Sequence, residues 1–451
     1  MAERILKCLG ESIGLSPTAY VKLLAETHEI LGHGHLPFWR ARALMSDSRW
    51  GEPDYTVQLA IAHVHEVPWP EVLRMGWPHW LRLATDDVTT LTAPWTVEGT
   101  ADTLRHTQRT TKHPDSHLAV TGPALSYFTR QTLDVVAGPS PSPARDGHAV
   151  SPGTVALIEA RVDALEKMLL AINPVTAYRV ARAELGLTTK LLTEGGYDRH
   201  TGTRLLIAAS NIACLCGDIK DSLGDYVLTE WYYMASARAA ASAGSPSQTS
   251  SSLADVALLH TYAGDPRDAL LLVEAAKGIT QHPSPRLAAV LHTREARAHA
   301  RLKDSTATMR ALDQAADALA ADTADDSTPG FSNVDQEWLS RVTGRAWLDL
   351  RRPKRALEHL TTLLDEASLS NSPTQPLIYT ARSLLTVVTA QLSLGDIDAA
   401  VHSAHRATDL FDSMPVGLAR QYGQRFLPHH QIPAVRNLLD RLNETHADFG
   451  C

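Results

Sequence analysis

Four cysteines in 451 residues are too few to build a disulfide framework. Cys214 and Cys216 sit two apart on one helical stretch with no Cys or His pair beside them, so they read as small buried apolar residues. No apolar run reaches the roughly 18 residues that a membrane-spanning helix needs. The first residues, Met1-Ala2-Glu3-Arg4-Ile5-Leu6-Lys7, place charge where a secretory leader keeps an apolar core. A cytoplasmic chain with no membrane partner is expected. Positive charge is also scarce: 42 Lys and Arg stand against 50 Asp and Glu, a net charge of −8. That excludes a broadly basic nucleic-acid binder but leaves room for a small reading module on an acidic body.

Phosphate-loop and dinucleotide fingerprints are absent, so neither an enzyme nor a cofactor is expected. His28-Glu29 with His33 misses the four-residue histidine spacing of a helical zinc site. His33-Gly34-His35 and His63-Val64-His65 are His-x-His pairs in a chain of 21 histidines, and no acid or thiol is placed to join them. No metal is expected.

β-branched alternation is nearly missing too. Long stretches instead repeat apolar residues at helical spacing with Ala, Leu and Arg, which predicts an all-α chain. Gly138-Pro139-Ser140-Pro141-Ser142-Pro143 forbids a continuous helix, because proline fixes φ and removes donors. The expected division is a helix-turn-helix bundle over 1–90, a helical connector over 91–137 and a Pro/Ser/Gly linker over 138–152. A helical pair over 153–200 and a repeat array over 201–445 follow. The three tryptophans near prolines, Trp69, Trp77 and Trp80, read as core plugs.

Gly264-Asp265-Pro266-Arg267-Asp268-Ala269 and Gly395-Asp396-Ile397-Asp398-Ala399-Ala400 both read as a Gly-Asp turn opening a helix with Ala five residues after the Gly. Turn residues Gly224, Gly264, Lys303, Arg351 and Gly395 follow one another at 39 to 48 residues. The acidic stretch 321–330 lengthens one interval. This pattern resembles a tetratricopeptide-like α-solenoid with longer units. Its first helices would line a groove with Asn211, Cys214, Asp218 and Asp221 at one end and Arg297, Arg341, Arg345 and Arg382 further along. Asn holds a peptide backbone through its amide, and arginines grip a carboxylate. Asn211, Asp218, Asp221, Arg297, Arg341, Arg345 and Arg382 are therefore the expected ligand-binding residues. Pairing of these arginines with neighbouring acids on a solvated face is the competing expectation.

Gln58-Leu59-Ala60-Ile61-Ala62-His63-Val64-His65, then Val67-Pro68, then Leu73-Arg74-Met75-Gly76-Trp77-Pro78-His79-Trp80-Leu81 is the most specific stretch. It resembles the end of the N-terminal module in actinobacterial transcriptional regulators that join an Xre-type helix-turn-helix to tetratricopeptide-like repeats. Trp95-Thr96 and Leu118–Leu125 are similar to that family's connector. The resemblance implies a DNA-binding regulator, dimeric on paired half-sites, whose repeats sense a peptide, a small molecule or a protein partner. Its architecture is similar to that of peptide-sensing regulators. The recognition helix would be about 37–46, with Trp39, Arg40, Arg42 and Arg49 as DNA contacts. Where the family carries a Trp-Glu-Ser-Gly-like signature, this chain has Ser46-Asp47-Ser48-Arg49. Residues 1–90 also hold eight bases against eleven acids. A non-DNA adaptor with a degenerate helix-turn-helix is the alternative expectation.

Overall fold

The computed structural model describes residues 6, 9, 13, 15–43, 53–65, 67–77, 80–81, 89–109, 118, 120–138, 144–168, 174–322, 334–360, 377–411 and 413–447. These residues are predominantly helical, as the periodicity predicts. Among them the strands are β1 (His148–Ala149) and β2 (Gly195–Gly196), paired in parallel. No described helix is long and apolar enough to cross a membrane. The chain divides into two compact units, one of residues 1–94 and 120–131, the other of residues 95–119 and 132–451.

In the first unit, α1 (Pro17–Ile30) starts where Ser16 caps it, the Ser16 hydroxyl accepting from the Ala19 N–H at 3.3 Å, with Pro17 at the first helical position. Its inward face is Tyr20, Val21, Leu24, Thr27 and His28. This face packs against α2 (Phe38–Ala43) and α3 (Tyr55–Val64), and α3 packs on α4 (Trp69–Met75). His28 fixes the α1–α2 turn: Nδ1 lies 2.9 Å from the Gly34 carbonyl and Nε2 lies 3.1 Å from Thr56 Oγ1. Trp80 is fully buried and donates from Nε1 to Gln58 at 2.9 Å, while Gln58 donates to the Pro53 carbonyl at 2.9 Å. Gln58–Ala62, Val67, Val72, Trp80 and Leu81 are core, whereas Trp69 is 48% exposed, so Trp80 is a core plug and Trp69 is not. Thr89–Thr92 forms the short α5.

In the second unit, α6 (Val97–Arg109) packs on α9 (Pro174–Glu194) and α11 (Tyr226–Ser242). Pro123–Ala137 is α7, which begins in the first unit and ends in the second. Pro152–Met168 is α8, which packs on α9 and on α10 (Arg199–Ser222). The segment before α8 is tied down: β1 pairs with β2, and Arg145 exchanges backbone bonds of 2.9 and 2.8 Å with Tyr197. Successive helices α10 to α13 then pack neighbour on neighbour, with α12 at Pro246–Ala263 and α13 at Pro266–Ile279. The series continues through α14 (Pro285–Arg301), α15 (Ser305–Ala320), α16 (Gln336–Asp349) and α17 (Pro353–Glu358). It ends with α18 (Leu377–Ser393), α19 (Ile397–Thr408), α20 (Val416–Phe426) and α21 (Pro433–Ala447). α20 was not expected from the sequence.

α11 is buried on every side except Tyr226, which its Ala and Ser content permits. Small hydroxyls link neighbouring helices there: Ser236 Oγ lies 3.0 Å from Ser210 Oγ and 2.9 Å from Ser252 Oγ. Two charged side chains of α11 are also fully buried, Glu230 with His260 Nε2 at 3.2 Å and Arg238 stacked 4.3 Å over the Trp95 ring.

Five hairpin turns of the second unit use one chemistry. Gly224, Gly244, Lys303, Arg351 and Gly395 all have positive φ, of 78°, 66°, 67°, 60° and 80°. The next residue's N–H returns five positions back in each: Asp225 to Lys220, Ser245 to Ala240, Asp304 to His299, Arg352 to Trp347 and Asp396 to Gln391. Asp225, Asp304 and Asp396 then cap the following helix through their carboxylates. At the Gly244 and Arg351 turns Pro246 and Pro353 open the next helix in place of a side-chain cap. Arg351 carries a side chain in a conformation that suits glycine, so Arg351→Gly is expected to stabilise the fold by about 0.5–1 kcal/mol. Urea denaturation checks this; an unchanged or lower midpoint would show that the turn bears no such cost.

Candidate functional site

α10 presents Asn211, Cys214, Asp218 and Asp221 at three- and four-residue steps, hence on one face. That face meets Gln248, Asp255 and Tyr262, a seven-residue series on α12. Gln248 donates to Asn211 at 2.8 Å, Cys214 Sγ donates to Asp255 at 3.4 Å, and the Tyr262 hydroxyl donates to Asp221 at 2.6 Å. Tyr233 of α11 donates to Asp218 at 2.6 Å. Arg382 of α18 forms an ion pair with Asp221 although 161 residues separate them.

The last helices therefore come back to the first hairpin. Tyr226 accepts from Gln421 at 3.1 Å, and Gly417 lies against Gly224 backbone to backbone. A Cβ on Gly417 would fall 2.3 Å from the Gly224 nitrogen, so only glycine permits that approach.

Arginines continue the polar strip. Arg294 of α14 stands 3.9 Å from Asp255. Arg297 reaches Asp349 of α16 at 3.5 Å, and Arg345 reaches the same carboxylate at 4.0 Å and Thr386 at 3.3 Å. Arg341 instead pairs with Glu337 of its own helix at 2.6 Å. The expected residues divide accordingly. Asp218, Asp221 and Arg382 converge, Arg297 and Arg345 share one acid, and Asn211 meets a glutamine. Asp221, Arg297, Arg341, Arg345 and Arg382 all meet acids or bases of the same chain, but most of these side chains are largely buried rather than on a solvated face.

Asp255, Tyr262, Tyr233, Arg294 and Tyr226 were missed. The signal for two of them was present: Gln248, Asp255 and Tyr262 recur every seven residues in a helix otherwise rich in Ala, Ser and Leu. The Gly264 turn lacks the positive φ of the turns at Gly224, Gly244, Lys303, Arg351 and Gly395.

Burial governs the charges of this strip. It pushes the Asp218 carboxyl up to about 7, helped by Asp255 and Asp221 and opposed by the Tyr233 hydrogen bond and Arg382. Burial likewise raises Asp255 and holds the Cys214 thiol well above its ordinary range, so Cys214 is a protonated donor rather than a nucleophile. Arg297 is pushed down to about 10, chiefly by burial and against the pull of Asp349.

A carboxyl raised on folding keeps a proton that the unfolded chain has lost. Asp218 therefore costs stability progressively as pH rises from its ordinary 3.8 to about 7. Asp218→Asn, which still accepts from Tyr233, is expected to raise the melting temperature at pH 8 and leave it unchanged at pH 4. Equal shifts at both pH values would contradict this.

In the first unit α2 projects Trp39, 63% exposed, and Phe38, while Ala41 points inward. Arg40 is half-exposed and forms an ion pair with Asp54. The side chain of Arg42, and Ser46–Arg49 with Arg49, lie outside the described residues. His65 is engaged by the Tyr20 hydroxyl at 2.8 Å, and the His33 ring lies tilted against His28, 5.4 Å between centroids. Among the described residues no cluster of three or more His, Cys, Asp or Glu is placed to hold a metal. Gly10-Glu11-Ser12-Ile13-Gly14 has the letters of a nucleophile elbow, which requires a strand before the serine. Leu6 and Leu9, just upstream, are helical and buried.

No protein-family model matches the chain, and no curated protein matches it.

Proposed function

We propose that this chain is a ligand-responsive, DNA-binding transcriptional regulator. Its first unit is an Xre-like helix-turn-helix in which α1 supports and α2 reads. Its second unit is a tetratricopeptide-like array that senses a peptide, a small molecule or a protein partner. The observation that carries the sensing half is the strip of paired charges and tyrosines in the second unit, where Asp221 and Arg382 join helices far apart in sequence. A ligand that competes for such pairs alters how the first and last hairpins hold together, and a two-state array of this kind shifts population with its ligand. For the reading half, support comes from α2, short and outward-facing, with Trp39 and Arg40 accessible over a packed α1. A homodimer follows because two half-sites require a two-fold axis.

A salt titration of DNA binding by the full chain tests this reading. Each phosphate contact contributes a slope of about 0.9 in log affinity against log salt. Arg40→Ala with Arg42→Ala is expected to weaken binding at least about tenfold and to lower the slope by about two contacts. Weak binding at low salt that the double substitution leaves unchanged would sink it. One observation favours the adaptor reading instead: Arg40 is engaged by Asp54, and its exposed neighbours are Phe38 and Trp39, a composition suited to protein contact.

A further inference from the structure

We infer that Arg294, Arg297 and Arg345 form an oxyanion-binding site in which Asp349 is a built-in competitor for the ligand. The inference rests on the sensing role proposed for the second unit, and it names the chemistry of what is sensed.

Asp349 is nearly buried and is the one carboxylate that both Arg297 and Arg345 reach, at 3.5 and 4.0 Å. Both separations exceed the 2.7–2.9 Å of a well-formed guanidinium–carboxylate bond. Lys303 adds a further cation by donating to the Asp349 carbonyl. Arg425 of α20 is close enough that Arg345 and Arg301 disfavour its charge and Asp349 favours it. Arg294 has Asp255 at 3.9 Å. Arg297, Arg345 and Lys303 thus converge on Asp349, and Arg294 stands beside Asp255.

The donors are also under-used. The Nε atoms of Arg294, Arg297 and Arg345 are all buried without a hydrogen-bond partner. A buried donor left unmade costs roughly 1–3 kcal/mol, which an incoming acceptor recovers. Burial, helped by Arg345 and Arg294 and opposed by Asp349, lowers the Arg297 guanidinium to about 10, so it keeps its charge at neutral pH. Access remains, since the side chains of Arg294, Arg297 and Arg345 keep 12%, 11% and 25% exposure. Planar forks around one acid recognise carboxylate or phosphate oxygens. Arg341 and Arg382 fall outside this site, because each is committed to its own acid.

The test is calorimetric titration of the full chain with inorganic phosphate and, separately, with acetate, under matched ionic strength. Saturable binding of at least one is expected, and the stronger of the two identifies the oxyanion class. Arg297→Gln with Arg345→Gln should weaken it at least tenfold, whereas Arg441→Gln, on α21 and paired with Asp409, should leave it unchanged. Asp349→Asn should tighten it several-fold, because the competing charge is removed; a purely structural Asp349 would give no gain. If the double variant fails to fold, Asp349→Asn alone decides: tighter binding supports the site, and equal or weaker binding overturns it. Absence of saturable binding by both anions also overturns it. DNA binding in the salt titration above is read independently, so a failed anion site and a failed regulator reading are separate results.

Discussion

Asp221→Ala should lower the stability of the second unit by about 3 kcal/mol. Asp221 is 4% exposed and serves two donors, the Arg382 guanidinium and the Tyr262 hydroxyl. Removing the carboxylate leaves the tyrosine hydroxyl unpaired in a buried setting. It also strands a cation, although the Arg382 side chain keeps 33% exposure and regains part of its hydration. A fully buried pair broken at one end costs about 3–5 kcal/mol, so the lower limit applies here. Asp221→Asn keeps an acceptor and should cost less than half as much. Thermal melts of the two variants check both values, and a double-mutant cycle with Arg382→Gln isolates the pair. A coupling indistinguishable from zero would mean that the ion pair does not tie α18 to α10. Gly417→Val disrupts the same closure from the other side, by backbone contact rather than charge.

The second large effect lies in the first unit. Trp80→Ala is expected to cost about 3–5 kcal/mol, because a fully buried indole is deleted and the cavity cannot refill. The loss also removes the hydrogen bond from the indole to the buried Gln58 side-chain carbonyl. Trp80→Phe should recover most of the packing but not that hydrogen bond, leaving a deficit of about 1–2 kcal/mol. Chemical denaturation followed by tryptophan-independent circular dichroism separates the two. A Phe variant no better than Ala would assign the effect to the hydrogen bond alone.

Much of the helical order was legible in the sequence, and the reason is local. The Gly-Asp pairs at Gly224, Gly264 and Gly395 combine a turn residue with a capping carboxylate, and both act within a few residues. Helix starts at Pro17, Pro266 and Pro353 follow from the same local rules. What the sequence hid is long-range. Nothing local marks Gly417 as the partner of Gly224, or the pairing of Asp221 with Arg382, because both depend on how many small helix-to-helix rotations accumulate between them. The site divides in the same way. Asp218, Asp221, Arg297, Arg345 and Arg382 were found by counting along a helix face. Their partners on α12 were not. Arg40 shows the limit of charge counting: its partner Asp54 lies fourteen residues away in sequence.

The regulator reading is tested most directly by selecting from random duplex DNA with the full chain at low salt. The account predicts enrichment of a defined motif, repeated with two-fold symmetry, that is lost in the Arg40→Ala, Arg42→Ala variant. Selection that yields no motif, or the same motif from the double variant, would contradict it.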